Sequence, residues 1–150
     1  MLSNLLKRNT ITIIDGDGIS WRNVIQVAAK PLIENGSITQ SYVDSIIKSI
    51  LRDGPYMNIG PKIALLYTPS SKLVKQTGIS LLKSSVPVAL VSKEHMINLW
   101  FVMAFSDSEG RLKLMQAMTM LLTNPDNVSQ LLSARDIDAL LKVTNAVGII

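Results

Sequence analysis

The chain has 150 residues, 47% of them hydrophobic and 17% charged, a length and composition that suit one domain with its own core and exclude a disordered or fibrous chain. It contains no cysteine, which excludes a disulfide framework, a zinc–thiolate centre and thiol chemistry. The net charge of +4 resides in residues 56–106, where Lys62, Lys72, Lys75, Lys83 and Lys93 face Glu94 alone.

That lysine excess reads first as an ordinary solvated face and second as a mark of an anionic partner. No arginine cluster, interleaved aromatics or recognition-helix pattern accompanies it, so nucleic acid is not the expected partner. At the N-terminus, MLSNLLKRNT puts its basic pair after a short apolar run, the reverse order of a secretory signal. The most apolar stretch, Ile97 to Phe105, falls far short of the ~20 residues that span a bilayer. A soluble cytoplasmic protein is the expectation.

In chain order, TITIID from Thr10 to Asp15 alternates and is β-branched, which predicts a strand turned by the glycines of GDG at 16–18. Ser20 then caps a helix with Val24, Val27, Ala28 and Leu32 inward, ending near Gly36. A second helix follows, with Thr39 as cap, Tyr42, Ile46, Ile47 and Ile50 inward, and Gly54-Pro55 as its stop. The centre changes period: KIALLY, TGISLLKS and INLWFVMAFS are short apolar runs suited to a buried sheet. After Asp107 the helical period returns, with Leu112, Met115, Met118, Leu121 and Leu122 as the expected stripe. Asn124 and Pro125 open the next helix, and RDIDALLKVTNA supplies a last one. The fold class is therefore α/β, a mixed central β-sheet flanked by helices, as a single domain over 1–150.

Few side chains suggest chemistry. His95 is the sole histidine and has no second donor beside it, so it reads as an exposed turn residue and no metal is implied. DGDG lacks the later carboxylates of a calcium loop, and no glycine-rich phosphate loop occurs. The methionines at 115, 118 and 120 read as core filling. What stands out is KIALLYTPSSK, Lys62 to Lys72, a strand that runs into a loop opening on Tyr67.

The order of two helices, DGPY, GPKIALLY, VKQTGISLL, a strand, and a helix after a short loop resembles enzyme IIA of the sugar phosphotransferase system. It is similar to the mannitol/fructose type and, within that, to the ascorbate-specific IIA proteins. Trp21, Gly54-Pro55-Tyr56, Pro61, Ala64, Val74-Lys75, Thr77-Gly78, Asp107 and Met115-Gln116 carry the likeness, which covers essentially the whole chain. The family's phosphoacceptor is a histidine in a strand-end motif Ala-(apolar)-Pro-His-(Gly/Ala)-Arg. Laid on that motif, the chain reads Ala64, Leu65, Leu66, Tyr67, Thr68, Pro69, so Tyr67 stands at the histidine and Pro69 at the arginine. A second family histidine, at the start of the helix after the last central strand, falls at Arg111.

The resemblance thus implies a phosphotransferase-system fold, no cofactor, and the phosphocarrier protein or a IIB subunit as partners. A second copy of the chain is left open. A tyrosine hydroxyl ionises near pH 10, is a poor nucleophile at neutral pH without a base, and its phosphate is a stable ester rather than a relay intermediate. The site residues Tyr67, Pro69 and Arg111 are accordingly read as vestigial, and the protein as regulatory or binding. Lys62, Lys72 and Lys75 are candidates to hold an anion beside that site. The alternative is a working phosphocarrier using Tyr67, Ser70, Ser71 or His95.

Overall fold

The structure is a computed structural model describing residues 2–147, apart from the side chain of Ser71. Met1, residues 148–150 and the Ser71 hydroxyl considered above lie outside the described residues. Four strands form one mixed sheet: β1 (Ile11–Ile14), β2 (Lys62–Leu66), β3 (Gly78–Ala89) and β4 (Met96–Ala104), in the order β1-β3-β4-β2. β1 runs parallel to β3, β3 antiparallel to β4, and β4 parallel to β2. The helices are α1 (Leu2–Leu5), α2 (Trp21–Glu34), α3 (Gln40–Asp53), α4 (Ser108–Leu122), α5 (Pro125–Ser133) and α6 (Ile137–Asn145). The α/β sandwich with a mixed central sheet is what the pattern predicts. The short α1 was not anticipated.

Each face of the sheet carries its own core. On one side α2 and α3 set Val24, Ala28, Leu32, Tyr42, Ile46 and Ile50 against Leu66, Leu82, Trp100 and Val102. On the other, α1 and α4 to α6 pack on Leu81, Leu99, Phe101 and Met103. Strand period 2 divides β4 cleanly between the two from Leu99 onward. Before that the parity breaks, since Ile97 and Trp100 face the same core. Against β2 Asn98 is the extra residue, the register shifting between Lys62 and Ile63, whereas against β3 the extra residues are 84–87, which bulge opposite Asn98. Its amide closes the bulge by donating to Ser84 O at 2.9 Å.

Three sequence expectations need correction. The buried stripe of α4 is Leu114, Ala117, Met118 and Leu121, while Leu112 is 60% exposed and Met120 46%. Hence of the three methionines only Met118 is fully core. Lys83 is not part of a solvated lysine face: it is buried, and its ammonium donates to Leu132 O at 2.7 Å and to Ala134 O, capping α5. Burial lowers its pKa. His95 is only half-exposed, with Nδ1 2.8 Å from Asn58 Oδ1.

Candidate functional site

β2 and β4 leave the sheet side by side, and the chain segments that follow them enclose a cavity of about 240 Å³. Thr68 and Pro69 line it from the β2 side; Phe105, Ser106, Asp107, Ser108 and Arg111 line it from the β4 side and the first turn of α4. Strand ends next to a helix start are where an α/β sheet opens a crevice.

Local chemistry fixes each wall. Asp107 caps α4, its carboxylate accepting Gly110 N–H at 2.7 Å. Thr77, just before β3, accepts Ser106 N–H at 3.1 Å and pairs its hydroxyl with that of Ser106 at 3.1 Å. On the other wall the fully buried Tyr42 of α3 accepts Thr68 N–H at 3.2 Å and donates to Met103 O at 2.6 Å. Burial pushes this phenol up to about 12, partly offset by its hydrogen bonds to Thr68. Ser45 and Thr68 join hydroxyls at 3.1 Å beneath the loop.

Tyr67, the first residue after β2, lies edge-on to Phe105 with ring centres 5.5 Å apart. The Arg111 guanidinium spans both rings, 6.0 Å from the centre of Tyr67 and 5.7 Å from that of Phe105. Residues 44 positions apart in sequence are thereby brought together, and Pro69 lines a neighbouring hollow with both.

The lysines are arranged differently. Lys62 begins β2, about 16 Å of strand away from Tyr67, and so does not flank the site. Lys72 and Lys75 follow the loop, but the chain there turns toward the α2–α3 connection, where Lys75 N–H donates to Ser37 O at 2.7 Å. None of the three lines the cavity. His95 precedes β4 at the end opposite Phe105, so nine strand residues separate it from Tyr67. Among the described residues no group of three or more metal-ligating side chains converges.

What sequence reading missed is the apolar surface beside the cavity. Tyr56, Ile59, Leu65, Tyr67, Arg111 and Met115 line a second hollow of about 350 Å³. Met115 continues it into a shallow groove along α4 with Leu112, Gln116, Thr119 and Met120. The signal was present: a helix with apolar residues at both 112–115–120 and 114–117–118–121 has two apolar faces, and a core takes one.

The family described as phosphoenolpyruvate-dependent sugar phosphotransferase system, EIIA 2, matches residues 4–146. The mannitol-specific cryptic phosphotransferase enzyme IIA component of Escherichia coli K12 is 24% identical over 133 residues, 89% of this chain and 90% of that protein. The solution structure of the mannitol-specific cryptic enzyme IIA CmtB from Escherichia coli superposes with a TM-score of 0.89 at 23% identity, covering 97% of this chain and 98% of that one. The ascorbate-specific EIIA component of Mycoplasma pneumoniae is 29% identical over 84 residues, 56% of this chain and 53% of that protein. A complex of enzyme IIAMTL with phosphorylated enzyme IIBMTL from Escherichia coli matches with a TM-score of 0.79 at 17% identity, covering 95% of this chain and 99% of that one. With the family model matching residues 4–146 and the fold agreeing, the chain belongs to the EIIA type-2 family of the phosphoenolpyruvate-dependent sugar phosphotransferase system.

Proposed function

We propose that this chain is a cytoplasmic IIA-type component that binds other phosphotransferase-system proteins without itself carrying the phosphoryl group on a histidine. One observation carries the reading: the side chain at the β2 exit, where the family's acceptor imidazole is expected, is Tyr67, wedged against Phe105 beneath Arg111. A phenol at neutral pH needs a base to act as nucleophile. The chain's one imidazole, His95, is at the far end of β4. The Asp107 carboxylate is occupied with Gly110 N–H. Arg111 supplies a fixed cation at the cavity mouth, which suits binding an anionic group rather than relaying it. The relative solved with phosphorylated IIB makes a IIB subunit or the phosphocarrier protein the natural class of partner.

A competing reading keeps transfer and moves the acceptor. It is favoured by His95, whose Nδ1 faces Asn58 Oδ1 while the Asn58 amide donates to Gly60 O and Ile63 O. That pairing leaves Nε2 as the free nucleophilic nitrogen. Incubation with phosphoenolpyruvate, enzyme I and the phosphocarrier protein separates the two. The binding reading expects no acid-labile phosphate on the chain, and the other expects label that His95→Gln abolishes.

A further inference from the structure

Resting on the reading that this chain binds phosphotransferase-system proteins at the Tyr67 face, we propose that the face distinguishes the phosphorylation state of its partner. It takes the phosphorylated form in preference, with Arg111 as the discriminating residue.

Arg111 lies against aromatic rings at the junction of the two hollows. The guanidinium lies over two rings, and among the described residues no carboxylate stands within ion-pair distance of it. Beside it the cavity presents the first turn of α4 and the side chains of Ser106 and Ser108. On its other side Tyr56, 55% exposed, Ile59 and Met115 form an apolar hollow that Arg111 also lines, and the groove with Leu112 and Met120 continues from Met115 along α4. A single fixed cation centred in an apolar rim is complementary to a convex protein surface that carries one exposed anionic group ringed by apolar side chains. A phosphoryl group on a partner's side chain has that form.

The same features disfavour a second copy of this chain. A two-fold interface places like patches together, so a dimer centred here would oppose Arg111 to Arg111. Free phosphate is a poorer match as well, because it leaves the apolar rim uncovered. Asp107 works against a dianion, its charge being offset in part by the N-terminus of α4 that it caps. With Tyr67 in place of an acceptor, a bound phosphoryl group keeps its bond to the partner, so binding reports that bond instead of breaking it.

The test is a calorimetric titration of the intact chain with the host's phosphocarrier protein, unphosphorylated or phosphorylated by phosphoenolpyruvate and enzyme I. A histidine-bearing IIA serves as positive control. One charge-assisted contact to phosphate predicts roughly tenfold or greater preference for the phosphorylated form. Arg111→Gln, a change at an exposed position, should remove that preference, lowering affinity for the phosphorylated form about tenfold or more and by a larger factor than for the unphosphorylated form. Leu112→Ser with Met120→Ser should weaken both forms alike. Equal affinity of the wild type for both forms overturns the inference while leaving the binding reading intact. Failure to bind either form, repeated with the host's IIB subunit in place of the phosphocarrier protein while the control binds both, overturns the binding reading itself. Loss of phosphate from the partner to the chain overturns both.

Discussion

The hydroxyl of Tyr42 donates to the carbonyl of Met103 at 2.6 Å and thereby stands where β2 and β4 part. Their last paired residues are Leu66 and Val102, and beyond that rung the phenol also receives Thr68 N–H at 3.2 Å. One buried side chain thus satisfies a backbone group from each strand exit and holds the cavity walls apart. Tyr42→Phe keeps the ring and strands both groups, and should cost about 1–3 kcal/mol in chemical denaturation.

The same phenol gives a pH signature. With its pKa raised to about 12, folded Tyr42 stays neutral where an unfolded tyrosine ionises near 10. Its contribution is complete below pH 10 and is lost as pH rises through 12, roughly 2–3 kcal/mol in all. The stability advantage of wild type over Tyr42→Phe should therefore shrink across that window. Denaturation midpoints measured from pH 8 to 12 check it, and parallel profiles would contradict it.

Lys83 gives the opposite slope. Burial lowers its pKa, so the unfolded chain binds this proton more tightly and folding is favoured as pH rises toward 10.5. Wild type should gain stability relative to Lys83→Met over that range. Tyr42 is common to both proteins, so its effect cancels in the difference.

Gly110 sits inside α4, where alanine ordinarily adds about 1 kcal/mol of helix stability. Here a methyl would lie 2.4 Å from Thr77 Oγ1 and 3.2 Å from Thr77 Cβ, so the hydroxyl must swing away from its Ser106 partners. Gly110→Ala should instead destabilise by about 1–2 kcal/mol by forcing Thr77 off Ser106. Thr77→Ala in the same chain should relieve most of the added clash, read as non-additivity in a double-mutant cycle.

Much of the scaffold was legible because patterning and caps agree: Ser20, Asn124 and Pro125 mark helix starts, and all four strands lie where β-branched or apolar runs predict them. The proximity of Tyr67 and Arg111 followed from the family resemblance, which laid both on one phosphorylation site. What escaped was information that local pattern does not hold. Leu112 and Leu114 are equally apolar, and only tertiary packing decides which is buried. Lys83 looks like any surface lysine until the carbonyls of Leu132 and Ala134, 49 and 51 residues on, come to meet it. Lys62 is near Tyr67 in sequence but a full strand length away in space. The bulge at Asn98 falls at the one polar residue of the run from Ile97 to Phe105, but a polar residue in a strand does not by itself mark a register shift.

Restoring an imidazole tests how far the site has diverged. Tyr67→His alone retains Leu66, Pro69 and Arg111, so neither the motif's preceding proline nor its arginine is present. It should give little phosphoryl transfer from the phosphocarrier protein. Adding Pro69→Arg and Arg111→His should give measurably more in the same labelling assay. Transfer by the single variant as fast as by a histidine-bearing IIA would show that the surroundings were intact.

The central claim is that this IIA-type chain binds without carrying phosphoryl on a histidine. Its most direct measurement is phosphorus NMR of the chain after incubation with phosphoenolpyruvate, enzyme I and the phosphocarrier protein, alongside a histidine-bearing IIA. The account predicts a phosphohistidine resonance on the control and none on this chain. A stoichiometric phosphohistidine signal from this chain, lost in His95→Gln, would contradict it.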